Sequence, residues 1–149
     1  MVSRFEHFSV SISCINRYIQ KIERTEMEKY GLKGASAQCL LAMQRYPQGI
    51  TAARLCEVCD KDKAAVSRIV AELEEKNMVT RGDDGGGRYR ALLKLTELGA
   101  EAAEHVEQRA KKAVEEAGTG LTDQQRAMMY AALDLIAGNL QMISEKGLK

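Results

Sequence analysis

Three residues on one face of a single predicted helix, Lys63, Ser67 and Arg68, have the types and spacing to read a surface rather than to break a bond. Ammonium, hydroxyl and guanidinium groups donate hydrogen bonds to phosphates and base edges, and Ala64 and Ala71 beside them keep the face low enough for close approach. Val66, Ile69, Val70 and Leu73 recur at i, i+3, i+4 and i+7 on the other side, one apolar stripe. A helix with these two faces suits the DNA major groove. Lys61 just ahead of it, and Arg88 and Arg90 farther on, are the other candidate DNA contacts.

Other chemistry is weighed and set lower. Cys56 and Cys59 form a CxxC, but zinc needs four ligands and no second CxxC or histidine pair lies near, so small apolar packing is the preferred role. A dithiol oxidoreductase is weaker still, since the CxxC stands near a predicted helix end rather than a helix start. His7 and His105 lack a neighbouring nucleophile or carboxylate arrangement and are read as surface or interface residues. The glycines at 85–87 precede a strand rather than a helix and do not form a phosphate cradle. No enzyme activity, cofactor or metal is expected.

The reader needs a frame, and composition limits what that frame can be. The 149 residues, 45% of them hydrophobic, allow one moderate core and a single domain. Scarce aromatics and one proline favour helix. No apolar run approaches the roughly 18 to 20 residues of a membrane span, and no signal peptide is visible, so a cytoplasmic location with four reduced cysteines is expected. Net charge is only +1, and from Arg54 to Lys94 nine basic residues face eight acidic ones. Bulk charge therefore does not announce a nucleic-acid partner; the pattern must.

Taken in order, Phe5, Phe8, Ile12, Ile15, Ile19, Ile22, Met27 and Tyr30 mark one long helix with a narrow apolar seam, broken by Gly31 and Gly34. Gly34 or Ser36 is the expected cap of a second helix containing Leu40, Leu41 and Met43, and Thr51 of a short third one with Ala52, Leu55 and Val58. Asp62 is the expected N-cap of the reader and Asn77 its left-handed terminator. Residues 78–81 and 89–95 read as the strands of a hairpin, the wing. Thr96 should cap a helix to about Ala117 with Leu98, Ala102, Val106, Ala110, Ala113 and Val114 inward. Thr122 and Gln125 form a capping box for a last helix, with a seam of Met129, Leu133, Ile136, Leu140 and Ile143.

Together these residues resemble the MarR family of transcriptional regulators over essentially the whole chain. The resemblance is carried by Ala53 and Leu55, by Asp62 to Arg68, by Leu73 to Val79, and by Leu95 to Gly99. It implies a homodimer with interlocked terminal helices, a pseudo-palindromic DNA operator, and often a small effector bound where the dimer helices meet the DNA-binding lobes. In the wing it implies an Asp followed two residues later by a groove-entering Arg. Counting back from Thr96, those positions hold Gly87 and Tyr89, with Arg88 and Arg90 flanking. One branch of the family senses hydroperoxides through a first-helix cysteine, which makes Cys14 the candidate redox residue. Cys14 stands too close to the helix end to match that position, so an ordinary thiol is preferred.

The expectation is a mainly α chain with a small β-hairpin wing: a winged helix-turn-helix at about residues 35–96, flanked by dimerisation helices at about 5–30 and 97–146. Phe5, Phe8, Ile12, Ile15, Ile19, Leu133, Ile136, Leu140 and Ile143 are the candidate dimer contacts. The expected function is a sequence-specific, homodimeric repressor released from double-stranded DNA by a small effector. The alternatives are a winged-helix interaction module without DNA binding and a cysteine-based redox regulator.

Overall fold

The computed structural model describes residues 1–82 and 90–148, and the described residues are mainly helical with one antiparallel hairpin. The elements are α1 (Arg4–Glu28), α2 (Ser36–Gln44), α3 (Ala52–Cys59), α4 (Lys63–Glu75), β1 (Val79–Arg81), β2 (Leu93–Leu95), α5 (Glu97–Ala117) and α6 (Asp123–Lys146). The chain divides into two compact units, Met1–Arg109 and Ala110–Lys149.

The first unit holds the core. Met27 and Leu32 from the end of α1 and its following turn, Leu40 and Met43 of α2, Leu55 of α3, Val66, Val70 and Leu73 of α4, Leu93 of β2, and Ala102 and Val106 of α5 are all buried. Burying side chains of this size stabilises the fold by roughly 1.5–3 kcal/mol each. Strand pairing sets Val79 opposite Leu95, Thr80 opposite Lys94 and Arg81 opposite Leu93. Ile50, just before α3, exchanges both backbone hydrogen bonds with Leu93 at 3.0 and 2.8 Å, so the base of the hairpin is tied to the entry of the helix-turn-helix.

Three expectations need correction. Neither Gly34 nor Ser36 caps α2: the N-cap is Ala35, with no side-chain bond, and Ser36 is a fully buried first-turn residue whose hydroxyl has no hydrogen-bond partner among the described residues. The reason is a close approach. A Cβ at Gly34 would stand 3.1 Å from the Arg24 backbone nitrogen, so the chain crosses α1 there and enters α2 through backbone turns, Ser36 N–H to Lys33 C=O and Ala37 N–H to Gly34 C=O, each 3.1 Å. Among the described residues the second strand is Leu93–Leu95, so residues 90–92 of the expected strand lie outside it, and residue 89 lies outside the described residues. On α5, Ala102 and Val106 face inward as expected and Ala103 joins them, whereas Leu98, Ala110 and Val114 are exposed. Apolar spacing identifies a face and not what covers it.

α1 is covered at one end only. Met27 is fully buried, yet Phe5, Phe8, Ile12, Ile15, Ile19 and Ile22 remain 42 to 77% exposed. In the second unit, Thr122 and Gln125 make the reciprocal capping box at 3.1 and 2.9 Å, and Gly118 is held by Arg126, whose Nη2 donates to its carbonyl at 3.3 Å. No residue of α6 is buried; Met129, Leu133, Leu140 and Ile143 are 38 to 51% exposed and Ile136 is half-buried.

A buried carboxylate links α1 to α5. Glu26 accepts from Lys29 Nζ at 2.6 Å and Arg109 Nε at 3.1 Å, and its Oε2 lies 2.9 Å from His105 Nε2. The His105 ring also meets Tyr30 edge-on at 5.7 Å. The bond from Lys29 holds the Glu26 carboxyl down from 4.5 to about 2, against the opposing effect of burial, with His105 and Arg109 adding to it. His105 is therefore a structural partner and not a free surface residue. A carboxylate whose folded pKa is depressed contributes stability above its ordinary value and loses it as pH falls through the folded one. We expect the unfolding free energy to decline between about pH 4.5 and 2, and Glu26→Gln to cost about 1–2 kcal/mol at pH 7, because all three partners are partly solvated. Urea titrations of both proteins across that range measure it, and an unchanged pH profile in Glu26→Gln would refute the assignment.

Candidate nucleic-acid interface

The reading helix is held at both ends by its own sequence. Asp60 takes the left-handed conformation at φ 50° and closes α3, its N–H bonding Glu57 C=O while Lys61 N–H bonds Cys56 C=O at 3.1 Å. Asp62 Oδ1 then accepts from Ala65 N–H at 2.7 Å and starts α4. At the far end Asn77 adopts φ 59°, and Met78 N–H returns to Leu73 C=O at 2.9 Å. Asn's short polar side chain makes this conformation tolerable without glycine. Thr96 Oγ1 donates to Asn77 C=O at 2.6 Å and accepts from Gly99 N–H at 3.1 Å, so one threonine fastens the end of the reader to the start of α5.

Between these ends the two faces separate as the spacing predicts. Val66, Ile69, Val70 and Leu73 are buried, while Lys63, Ala64, Ser67, Arg68 and Ala71 are exposed. Lys63, Ser67 and Arg68 occupy the first two turns, the part of a helix-turn-helix reader that reaches base edges. Acidic residues nearby are partly neutralised: Glu57 pairs with Arg54 at 2.7 Å and Glu74 with Arg81 at 2.9 Å. Glu75 is exposed, but on the last turn, with half-buried Glu72 one turn before it, so the helix runs from basic at its N-terminal half to acidic at its end.

Lys61 is half-buried and lies in a cleft of about 240 Å³ with Gln20, Glu23, Arg24, Gly34, Ala35 and Gln38. Burial raises the Glu23 carboxyl, and the Gln38 hydrogen bond and Lys61 charge oppose that rise. Arg90 is exposed at the turn before β2; Arg88 lies outside the described residues, as do Gly87 and Tyr89. Cys14 is half-buried on α1, with Arg17 Nη2 at 3.8 Å. Cys56 and Cys59 both belong to α3, the second of them buried, and the Cys59 thiol donates to the Gln38 carbonyl of α2 at 3.7 Å. That contact was not legible in the CxxC spacing, because Gln38 is 21 residues away along the chain. Among the described residues no group of three or more His, Cys, Asp or Glu could hold a metal ion, and no helix is long and apolar enough to cross a membrane.

Residues 30–88 match a family model described as MarR family. Over 122 residues the chain is 25% identical to a protein of Thauera aromatica assigned to transcriptional regulation of the hcr operon, covering 82% of this chain and 70% of that one. A MarR transcriptional regulator from Methanosarcina mazei Go1 superposes with a TM-score of 0.81 at 24% identity, covering 93% and 92% of the two chains. A MarR family regulator from Listeria monocytogenes, complexed with 26mer DNA, gives 0.80 at 22% identity over 93% and 94%.

The Asp62 bond is the main side-chain support at the start of the reader. Asp62→Ala should lower the unfolding free energy by about 1 kcal/mol in urea titration. A loss below a few tenths would mean the cap does not hold α4.

Proposed function

We propose that this chain, whose residues 30–88 match a model of the MarR family of transcriptional regulators, acts as a winged helix-turn-helix regulator of that kind: a homodimeric repressor that binds a pseudo-palindromic DNA operator and is released by a small effector. The observation that carries the DNA-reading part is the exposed first half of α4. Lys63, Ser67 and Arg68 stand on a helix whose opposite face is locked into the core and whose two ends are capped, so the donors are presented on a rigid support. Arg or Lys can pair with guanine edges, each good contact being worth about 1–3 kcal/mol of discrimination. Ala64 permits the close approach, Lys61 reaches the same end, and Arg88 or Arg90 supplies the wing contact. That a similarly folded regulator from Listeria was crystallised with DNA supports the reading. Such a protein works in the cytoplasm.

The homodimer follows from uncovered apolar surface. Phe5, Phe8, Ile12, Ile15 and Ile19 on α1, with Leu133, Ile136, Leu140 and Ile143 on α6, form two long seams, far more than a monomer leaves in water. A second copy offers the same seams, and a two-fold pair would place its readers about one DNA turn, roughly 34–36 Å, apart. The cleft of Glu23, Arg24, Gln38 and Lys61 borders the turn into α4, and a small molecule bound there would act directly on the reader's aim.

Two measurements test this. In gel-shift or anisotropy titrations with DNA flanking its own gene, we expect retardation whose affinity falls steeply with salt, and an Arg68→Ala variant weakened at least about tenfold with unchanged thermal unfolding. A folded dimer that shows no sequence preference at low salt would sink the reading. In sedimentation, the native chain should run at the mass of two chains, and Leu133→Asp should shift it to one and weaken DNA binding with it. A native monomer would overturn the dimer.

A further inference from the structure

The exposed face of α3 carries a charge pair that the reading face does not use. Arg54 Nη1 donates to Glu57 Oε2 at 2.7 Å, one turn along the helix, and the two side chains are 55% and 67% exposed. On the other side of α3, Leu55 and Cys59 are buried. An ion pair this open to water adds little to the stability of a fold. Its placement says more than its strength.

Arg54 stands in the first turn of α3, where its N–H donates to the Thr51 hydroxyl at 3.2 Å. Just before that turn Ile50 exchanges both backbone hydrogen bonds with Leu93 of β2, and a Cβ at Gly49 would stand only 2.8 Å from Leu92 Cβ. The start of α3 is therefore pinned to the base of the hairpin. At its other end α3 passes through Asp60, Lys61 and the cap Asp62 into the reader. When a reader lies in the major groove, the helix before it crosses the sugar-phosphate strand that walls the groove. A guanidinium on the open face of that helix has phosphate oxygens to meet, and it can fork onto them as it does onto a carboxylate. In the free chain its partner is Glu57.

We infer that Arg54 is a phosphate-binding residue and that Glu57 is its competitor within the chain: DNA takes the guanidinium over from the carboxylate, and the pair sets how tightly any duplex is held without setting which sequence is preferred. The inference rests on the DNA-binding function proposed above. Phosphates carry no direct sequence information, so the Arg54 contact is the same at every site. Glu57 opposes binding twice, by holding the guanidinium in the free chain and by repelling the strand in the complex. The exchange is easy because both groups are solvated. Affinity is then adjusted on α3, and choice of sequence on α4 by Lys63, Ser67 and Arg68.

The test measures fluorescence anisotropy over a range of salt concentrations, with one duplex from the DNA flanking its own gene and one unrelated duplex of equal length. Arg54→Gln in the full chain should weaken both duplexes by the same factor, at least about threefold at low salt. It should also flatten the slope of log affinity against log salt by about 0.9 for each chain bound. Glu57→Gln should move the other way and tighten both duplexes about two- to fivefold. Arg68→Ala, by contrast, should lose most of the preference for the first duplex. If the pair merely supports α3, both glutamine variants unfold at lower temperature and both bind more weakly, and the inference is overturned. An unchanged salt slope in Arg54→Gln overturns it too, as does a loss confined to the first duplex. A native chain that binds neither duplex sinks the DNA-binding function itself, and this inference with it.

Discussion

Everything in the first unit depends on one apolar stripe being locked down. Val66, Ile69, Val70 and Leu73 are buried together against α2, α3 and the base of the hairpin, and a helix fixed along one stripe has no freedom to choose its other face. Lys63, Ser67 and Arg68 are presented because the stripe is buried. The same constraint explains why a nearly neutral chain can carry a basic surface: the first two turns of α4 are basic, while Glu57 and Glu74 are tied to arginines and Glu75 sits on the last turn. Position along a rigid helix does what net charge does not.

The stripe is in turn registered by a small knot of backbone bonds at its far end. Thr96 N–H bonds Met78 C=O at 2.9 Å while the Thr96 hydroxyl holds Asn77 C=O, and Gly99 packs directly on the Met78 carbonyl, where any Cβ would collide. Leu93 pairs with both Arg81 and Ile50. The end of the reader, the hairpin base, the start of α5 and the entry to α3 thus meet within a few residues. None of these ties is strong alone, at about 1 kcal/mol for a typical hydrogen bond, but they fix orientation more than they add stability.

What the sequence made legible was local. The Asp62 cap, the Asn77 terminator, the Thr96 cap, the Thr122 and Gln125 box and the stripe of α4 all lie within a turn or two of their partners, where i+3 and i+4 spacing carries the information. What it did not disclose was non-local. Glu26 meets His105 and Arg109 across about eighty residues, and Cys59 meets the Gln38 carbonyl across 21, and neither pairing leaves a periodic trace. Leu98, Ala110 and Val114 failed for another reason: they belong to a real apolar face, but the chain itself does not cover them.

α1 shows what that last distinction means physically. Its residues recur with one continuous spacing from Phe5 to Tyr30, yet Met27 is completely buried while the large apolar residues Phe5, Phe8, Ile12, Ile15, Ile19 and Ile22 are open. A single helix with a single pattern is core at one end and surface at the other. A monomer gains nothing from continuing the seam for several turns past its own core, and exposing that many large side chains invites aggregation. The seam is explained once a second body lies along it, and α6, with an equally unpartnered seam and no buried residue, poses the same requirement at the other end of the chain. The homodimer proposed above would give each seam a covering body. In the proposed homodimer the helix that carries Glu26 into the core would also meet the second copy, and a disturbance of the pair would reach the reader through α1 and the core packed on its end.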